Sequence, residues 1–430
     1  MIERAPSDAP PLDREAVRES LSRRIAEHND EMIGIGQSLV RVPSENPSGD
    51  TGAVAELSAG ILRKVEGAEV EFVTGRAPFT NVIARIKGAG PGRRVVLNGH
   101  LDTFPAGDRA SWTVDPFGGE VIDGRLYGRG AADMKGGVAA SMMAFRLMAQ
   151  VRHAWSGELV LTLAADEETM GKWGSSYLLE TMPHATGDAL ICGDAGSPRV
   201  IRFGEKGMVW LDLSTIGRAS HGAHVHLGRN ALDLLVQAIQ RVQTLSQLPV
   251  ETPDKVRAAI QRASSISEPL AGAGETEILT AITVNLGYLQ GGTSPNLVPS
   301  AAKAGLDIRL PVGTSANDIV RRIEDLLAPL EGVEHKVVVR HDPTYSDPDG
   351  ELFQLLVKNG AETIGATPVV NMRVGASDTR LFRSQGISSA VYGCTPNNMG
   401  GPNEFATLED LYAIFRVHTL TAFDFLTADR

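Results

Sequence analysis

Cysteine is nearly absent from this sequence, which contains only Cys192 and Cys394 in 430 residues. Two thiols cannot supply the disulfide framework of a secreted protein, so the composition favours a reducing compartment. No stretch approaches the ~18 apolar residues that a membrane-spanning helix needs. Residues 1–20 also lack the apolar core of a signal peptide. These absences together predict a cytoplasmic protein with no membrane association.

An excess of positive charge is also missing. The 41 Lys and Arg residues are outnumbered by 52 Asp and Glu residues, which gives a formal net charge of −11. This balance argues against sequence-independent nucleic-acid binding, which relies on clustered basic side chains. The 42% hydrophobic and 22% charged residues are typical of a soluble globular protein. The chain is also long enough to form two domains.

Short apolar runs alternate with helical patterns between about residues 70 and 203. This alternation predicts an α/β domain with a mostly parallel sheet covered on both faces. A long helix is expected at 15–42 and another at 131–150. The expected strands are 81–86, 94–99, 158–164 and 189–192.

The middle of the chain has a different pattern. Strands and helices follow one another in the order β-α-β-β-α-β, at 208–216, 230–245, 280–289, 303–310, 316–330 and 335–340. This order is that of a ferredoxin-like α+β unit, interrupted at 247–278 by a long excursion. The predicted domains are an N-terminal extension at 1–29, a discontinuous α/β domain at 30–206 with 343–430, and an inserted domain at 207–342.

Four segments place polar residues beyond strands or in a glycine-rich loop. His100 and Asp102 follow the strand expected at 94–99, where a metal-binding imidazole could be held from behind by a carboxylate. A loop histidine with only a local hydrogen bond would fit the same pattern. Asp133 lies in a glycine-rich segment at the expected start of a helix, where a dipole-stabilised carboxylate is the alternative.

Consecutive acidic residues follow the strand at 158–164. The repulsion within Asp166-Glu167-Glu168 would be offset by a divalent cation, although a solvated acidic turn has the same composition. Asp194 follows the strand at 189–192. Histidine and carboxylate ligands in these four segments suit Zn²⁺ or Mn²⁺, with Co²⁺ also compatible.

These motifs resemble the M20 family of metallopeptidases and deacylases, which includes acetylornithine deacetylase, succinyl-diaminopimelate desuccinylase and glutamate carboxypeptidase. The similarity extends from about residue 30 to the end and is most specific at 99–102, 130–136 and 166–168. The resemblance implies an α/β catalytic domain and an inserted ferredoxin-like lid through which two chains form a homodimer.

The resemblance also implies two metal positions. His100 and Asp194 would bind one ion and Glu168 a second, with Asp133 bridging them. The family usually supplies a further histidine before a Pro-Asn-Glu-like segment, but residues 395–404 contain none. Gly400 or Asn397 stands at the equivalent position, depending on the branch that is aligned. One tightly bound ion is therefore predicted, with the second site in doubt.

The remaining family positions concern catalysis and substrate binding. Glu167 would be the general base, Asp102 would orient His100, and the lid residue His221 would stabilise the oxyanion in the partner subunit's site. His224 and His226 follow it as exposed residues, as further groups of the pocket, or with one of them replacing the missing metal ligand. Three residues match substrate-binding positions: Asn296 and Arg309, which would hold a carboxylate, and Gly375, which would make a backbone contact.

The predicted reaction is metal-dependent hydrolysis of an amide C–N bond in a small carboxylate-bearing substrate. Two other functions fit the motifs. One is an aminohydrolase that replaces the amine of a small aromatic compound such as a nitroanthranilate. The other is a binding protein that has lost catalysis, as the absent histidine would allow. Retention of Glu167, Asp102 and His221 favours an enzyme, because a binding protein needs no general base.

Overall fold

The computed structural model describes residues 13–47 and 49–428. The described chain forms two compact units. Unit 1 contains the described residues of Met1–Ile201, Gly350–Pro368 and Gln385–Arg430, and unit 2 contains Arg202–Asp349 and Val369–Ser384. The domain bounds expected from the sequence remain a prediction, and residues 1–12 of the expected N-terminal extension lie outside the described residues. Among the described residues, no helix has both the length and the apolar character needed to span a membrane.

Unit 1 contains a mainly parallel sheet. With elements numbered along the whole chain, its strands are β1 (Glu69–Arg76), β2 (Phe79–Lys87), β3 (Arg94–His100), β4 (Val121–Ile122), β5 (Arg125–Tyr127), β6 (Glu158–Ala164), β7 (Ala189–Cys192), β17 (Ser388–Val391) and β18 (Phe405–Thr407). Six of them follow the order β1-β2-β6-β3-β7-β17. The β6–β3, β3–β7 and β7–β17 pairs are parallel, whereas β2 is antiparallel to both neighbours. The predicted fold class and the four predicted strands are confirmed.

The helices of unit 1 bury the apolar side chains that give the sequence its helical periodicity. They are α1 (Arg14–Glu27), α2 (Asn29–Val40), α3 (Gly52–Leu62), α4 (Gly136–Gln150), α5 (Ser175–Thr181), α10 (Glu351–Ile364) and α12 (Leu408–Thr427). Nearly every residue of α4 is buried, and this helix packs against α2 and α12. Because β3, β6 and β7 are parallel, their carboxyl ends and the loops that follow them meet at one edge of the sheet.

Unit 2 contains the ferredoxin-like arrangement. Its strands are β8 (Val200–Glu205), which begins at the unit boundary, β9 (Gly207–Ile216), β10 (Ser220–His221), β11 (Thr283–Gly291), β12 (Leu297–Val298), β13 (Ala301–Leu310), β14 (Val333–His341), β15 (Thr344–Tyr345) and β16 (Val369–Arg373). Its helices are α6 (Ala231–Gln243), α7 (Asp254–Ala271), α8 (Glu275–Thr280), α9 (Ala316–Leu327) and α11 (Thr379–Arg383).

A four-stranded antiparallel sheet of order β11-β13-β9-β14 organises this unit. Alternate residues of β9 and β13, such as Leu211, Leu306 and Ile308, form a core with α6 and α9. The residues between them face the other side of the sheet. The observed order β9-α6-β11-β13-α9-β14 confirms the predicted β-α-β-β-α-β pattern.

The structure differs from three predicted elements. The long helix expected at 15–42 is divided at His28 into α1 and α2. The helix expected from residue 131 begins at Gly136, because Asp133 (φ −130°, ψ 93°) and Met134 have non-helical backbones. The excursion at 247–278 contains α7, whose buried residues include Val256, Ala259, Ile260 and Ala263 at helical spacing.

Candidate metal centre

Three side chains at the carboxyl edge of the unit 1 sheet converge on one point. His100, Asp133 and Asp194 each offer one ligand atom, and these atoms lie within 4.8 Å of one another. All three residues are buried. They form the one such group of three or more histidine, cysteine or acidic residues among residues 13–47 and 49–428. One imidazole and two carboxylates make a ligand set that suits a divalent cation.

The imidazole of His100 is held at both nitrogens. Nδ1 lies 2.9 Å from the backbone carbonyl of Asp102 and 3.5 Å from its Oδ1, and Nε2 lies 3.1 Å from Oδ1 of Asp133. Burial would lower the pKa of His100, but the hydrogen bonds with Asp102 and Asp133 raise it well above its ordinary value. Because Nδ1 faces a carbonyl, it is the donor in the neutral ring, and the lone pair of Nε2 faces Asp133.

The carboxylate of Asp102 joins this loop to the acidic one. It accepts the backbone N–H of Glu167 at 3.1 Å and of Glu168 at 3.0 Å, and also the side-chain amide of Asn46 at 2.9 Å. Asp102 is fully buried. A buried carboxylate with three donors is well fixed, so the two loops have a defined relative position.

The three consecutive acidic residues have different environments. Asp166 stabilises its own turn, because it accepts the backbone N–H of Trp173 at 2.8 Å. Glu167 and Glu168 lie in the short 3₁₀ turn Glu167–Thr169. Burial, with a further contribution from Asp133, raises the pKa of Glu168 to about 11. Oε1 of Glu168 is buried and has no hydrogen-bond partner among the described residues.

These surroundings fit a divalent cation. The chain places an imidazole nitrogen and two carboxylates close together, and it buries a third carboxylate, that of Glu168, near them. A divalent charge would stabilise the ionised form of all three carboxylates. The residues present therefore fit a bound divalent metal ion.

Glu404 and Arg129 belong to the same site but were not identified from the sequence. Oε1 of Glu404 accepts the backbone N–H groups of Ala132 and Asp133, at 3.0 and 3.2 Å. Arg129 pairs with Oε2 of Glu404, and both residues are buried. Burial raises the pKa of Glu404 to about 7. Arg129 and Glu404 are separated by 275 positions in the sequence. The one feature of the sequence that could have identified the pair is that Glu404 lies close to the position of the expected histidine.

The segment from which that histidine is missing lies beside this pair. The carbonyl of Gly400 accepts a hydrogen bond from Arg129 at 2.9 Å, and the residue has a φ of +73°. The nearest atom to a Cβ added at Gly400 would be Cδ2 of Phe104, at 3.8 Å. Asn397 forms a backbone bridge with Phe405.

The residues predicted for the lid lie in unit 2. His221 and Asn296 are neighbours, because His221 pairs with Leu297 and the Asn296 carbonyl accepts the Gly222 N–H at 2.6 Å. His221 is exposed, and its ring is followed by those of His224 and His226 at successive spacings of 6.0 Å.

Arg309 and Gly375 occupy other parts of unit 2. On β13, Arg309 donates to both carboxylate oxygens of Asp307, at 2.8 and 2.9 Å. Gly375 lies between β16 and α11, where the backbone N–H of Ser377 donates to Glu205 at 3.2 Å. The predicted metal and base residues therefore meet in unit 1, whereas the substrate-binding residues are distributed over unit 2.

Comparison with known proteins agrees with this geometry. The model of peptidase family M20/M25/M40 matches residues 96–424. Succinyl-diaminopimelate desuccinylase of Rhodospirillum centenum is 30% identical over 400 residues, covering 89% of this chain and 95% of the relative. The desuccinylase of Rhodospirillum rubrum is 31% identical over 423 residues, covering 92% and 98%.

Solved structures share the fold at lower identity. An M20 family metallo-carboxypeptidase from Sulfolobus solfataricus has a TM-score of 0.79 at 19% identity, covering 93% of this chain and 100% of that protein. A dinuclear metal-binding M20 peptidase from Bacillus subtilis has a TM-score of 0.65 at 15% identity, covering 93% and 99%. Given the family match and the relatives aligned along most of their length, the chain belongs to peptidase family M20/M25/M40 and is a metal-dependent hydrolase.

Proposed function

We propose that this enzyme removes an acyl group from a small N-acyl amino acid that carries at least one free carboxylate. The observation that supports this reaction best is the buried set of His100, Asp133 and Asp194, with Glu167 in the adjoining turn. The two relatives named as desuccinylases make an N-succinyl amino acid the first substrate to test.

His100, Asp133 and Asp194 would hold one tightly bound Zn²⁺ or Mn²⁺, with Co²⁺ as a substitute. When bound, such an ion supplies Lewis acidity, which polarises the amide carbonyl and acidifies a coordinated water. Glu168 would contribute to a second, weaker position, which lacks an imidazole because residues 395–404 contain no histidine. One tight ion per chain is therefore proposed.

Glu167 would transfer the proton. It is half-buried in the turn that Asp102 fixes through two backbone N–H groups. A carboxylate in this position would take a proton from the attacking water and deliver it to the leaving nitrogen. Asp102 would position both His100 and this turn, so that the metal ligand His100 and the base Glu167 keep a fixed distance and orientation.

Residues of unit 2 would bind the substrate. Arg309 and Asn296 would hold the carboxylate, and the backbone at Gly375 would make a further contact. A planar guanidinium suits a carboxylate, which it can bind through two parallel hydrogen bonds.

The chain would act as a homodimer. Among the described strands, β11 has a hydrogen-bonded neighbour on one side only, and its exposed residues include Leu286, Tyr288 and Leu289. Pairing of two such edges would continue the sheet across a two-fold axis. In this arrangement, His221 would stabilise the oxyanion in the partner's site. We also place the enzyme in the cytoplasm, because a sequence with only two cysteines does not depend on a disulfide framework.

The reaction can be tested with a panel of N-succinyl, N-acetyl and N-formyl amino acids, each supplied with the protein loaded with Zn²⁺ or Mn²⁺. Release of the carboxylic acid together with the free amine would support the proposal. Nitroanthranilate should be included as a separate substrate, because release of ammonia from it would instead support an aminohydrolase. Turnover of none of these compounds by metal-loaded protein would contradict the proposed function.

A further inference from the structure

His341, at the end of β14, has one ring nitrogen with no hydrogen-bond partner within residues 13–47 and 49–428. Nδ1 lies 3.3 Å from the backbone carbonyl of Asp342. Nε2 is buried and has no hydrogen-bond partner among the described residues. A buried polar atom that lacks a partner in the protein marks a place where a ligand or an ion can supply one.

The sheet register places this ring on the same face as Arg309. Met208 of β9 pairs directly with Arg309 on one side and with His341 on the other. Residues paired directly across neighbouring strands project from the same face of a sheet. The adjacent residues Val209 and Ile308 face the core instead. His341 and Arg309 therefore flank Met208 on the face opposite α6 and α9, about 10 Å apart at their Cα atoms from the ordinary strand spacing.

In the part of the chain that the structure describes, His341 forms no ion pair with a carboxylate. Burial lowers the pKa of His341, and Arg380 and Arg309 lower it further, whereas Glu205 opposes them. Glu205 accepts hydrogen bonds from Ser377 and forms an ion pair with Arg383. Arg309 is paired with Asp307.

We propose that His341 is a specificity residue that binds the substrate carboxylate together with Arg309, through a hydrogen bond donated by Nε2. This proposal rests on the proposed function, because it assigns a second cationic group to the same carboxylate. The ligand class is a small mono- or dicarboxylate that would enter between the two side chains. A long arginine and an imidazole on either side of one strand can both reach such a group.

The protonation state of the ring follows from its present contact. Nδ1 faces a carbonyl and is the donor in the neutral ring, so Nε2 then carries a lone pair. A carboxylate accepts hydrogen bonds but cannot donate them, so Nε2 must be protonated to bind it. Binding would therefore take up one proton, and affinity would fall as the pH rises through the titration range of His341.

Succinate is a suitable probe, because its binding can be measured without turnover. The resonance of the His341 ring in metal-loaded, ¹³C-histidine-labelled protein would be assigned with His341→Gln and titrated with and without succinate. We expect succinate to raise the pKa of His341 by about one unit, which corresponds to tenfold tighter binding to the protonated form. Arg309→Met should abolish this shift. An unchanged pKa in wild-type protein saturated with succinate would overturn the proposal.

Affinity provides an independent test. His341→Gln should weaken succinate binding about tenfold at pH 5.5 and much less at pH 8, whereas His335→Gln, on an exposed residue of the same strand, should match the wild type. Equal losses at both pH values would indicate a structural role and reject the proposal. His341→Asn repeats the comparison if the Gln variant does not fold. A failed substrate panel with a positive succinate titration would reject the proposed function alone.

Discussion

Oδ1 of Asp102 accepts the backbone N–H of Glu167 at 3.1 Å, which connects the loop after β3 to the turn after β6. Asp102→Asn replaces one accepting oxygen with a donor, so it cannot accept from all three of its present donors. Loss of such outer contacts commonly costs about 10–100-fold in metal affinity or activity. Metal titration and kcat should both show a loss in this range. Wild-type values for both would mean that Asp102 does not position the site.

Replacement of the proposed base should separate catalysis from metal binding. Glu167→Gln keeps the shape of the side chain but cannot take up a proton, so kcat should fall by about 10²–10⁴-fold. The metal content should stay at the wild-type level, because Glu167 is not among the three converging ligands. Elemental analysis and steady-state kinetics measure the two effects. Glu180→Gln, on an exposed residue, is the control. Activity above a few per cent of wild type would remove Glu167 from this role.

Substitution of Arg309 should affect mainly substrate binding. Arg309→Lys keeps the positive charge but loses the planar pair of donors, so KM should rise about tenfold with a smaller change in kcat. The exposed Arg340→Lys on β14 should leave both constants unchanged. Equal handling by the wild type of substrates with and without the carboxylate would contradict this assignment.

The proposed dimer predicts complementation between two inactive proteins. His221→Ala would lack the residue that serves the partner's site, and Glu167→Ala would lack the base of its own site. In a mixed dimer, one of the two sites would retain both residues. Recovery of up to about a quarter of wild-type activity is expected after subunit exchange, because half of the dimers are mixed and each has one intact site. Exchange demonstrated by native mass spectrometry without any recovery would count against this arrangement.

Stability in acid should depend on His418, which packs between α4 and the rest of the unit 1 core. The ring lies 3.1 Å from Oγ of Ser141 and 2.8 Å from the carbonyl of Tyr392. Burial lowers the pKa of His418 to about 4. An unfolded histidine has a pKa of ~6.5, so the unfolded chain binds the extra proton first as the pH falls.

The contribution of His418 to stability is therefore complete above pH 6.5 and lost as the pH falls through 4, with a total of about 3 kcal/mol. Urea unfolding between pH 4 and 7.5 should show this dependence weakened in His418→Gln and retained in His153→Gln, whose side chain is exposed. The same slope in both variants would show that other groups cause the acid sensitivity.

The sequence predicted those parts of the site that depend on local pattern. The apolar run before His100 indicated a buried strand, and the position of His100 at its carboxyl end followed. The conformation at Asp133 could not be predicted in this way. The residues around it read as the start of a helix, whereas its backbone is non-helical and its N–H donates to the distant Glu404.

Other differences have separate causes. The pairing of Arg129 with Glu404 is a contact between distant positions, which a single sequence does not reveal. In contrast, α7 was predictable, because Val256, Ala259, Ile260 and Ala263 already follow helical spacing. The serines and the proline within that segment obscured this periodicity. Separate helices at 14–27 and 29–40 reflect a local break at His28 that apolar periodicity alone does not indicate.

His100, Asp133 and Asp194 are proposed to bind one tightly held catalytic metal ion. The most direct measurement is a crystal structure of extensively dialysed protein with anomalous scattering at the metal edge, combined with elemental analysis of the same sample. We expect one ion per chain, coordinated by these three side chains. Two fully occupied ions, or an ion held elsewhere with this site empty, would contradict it.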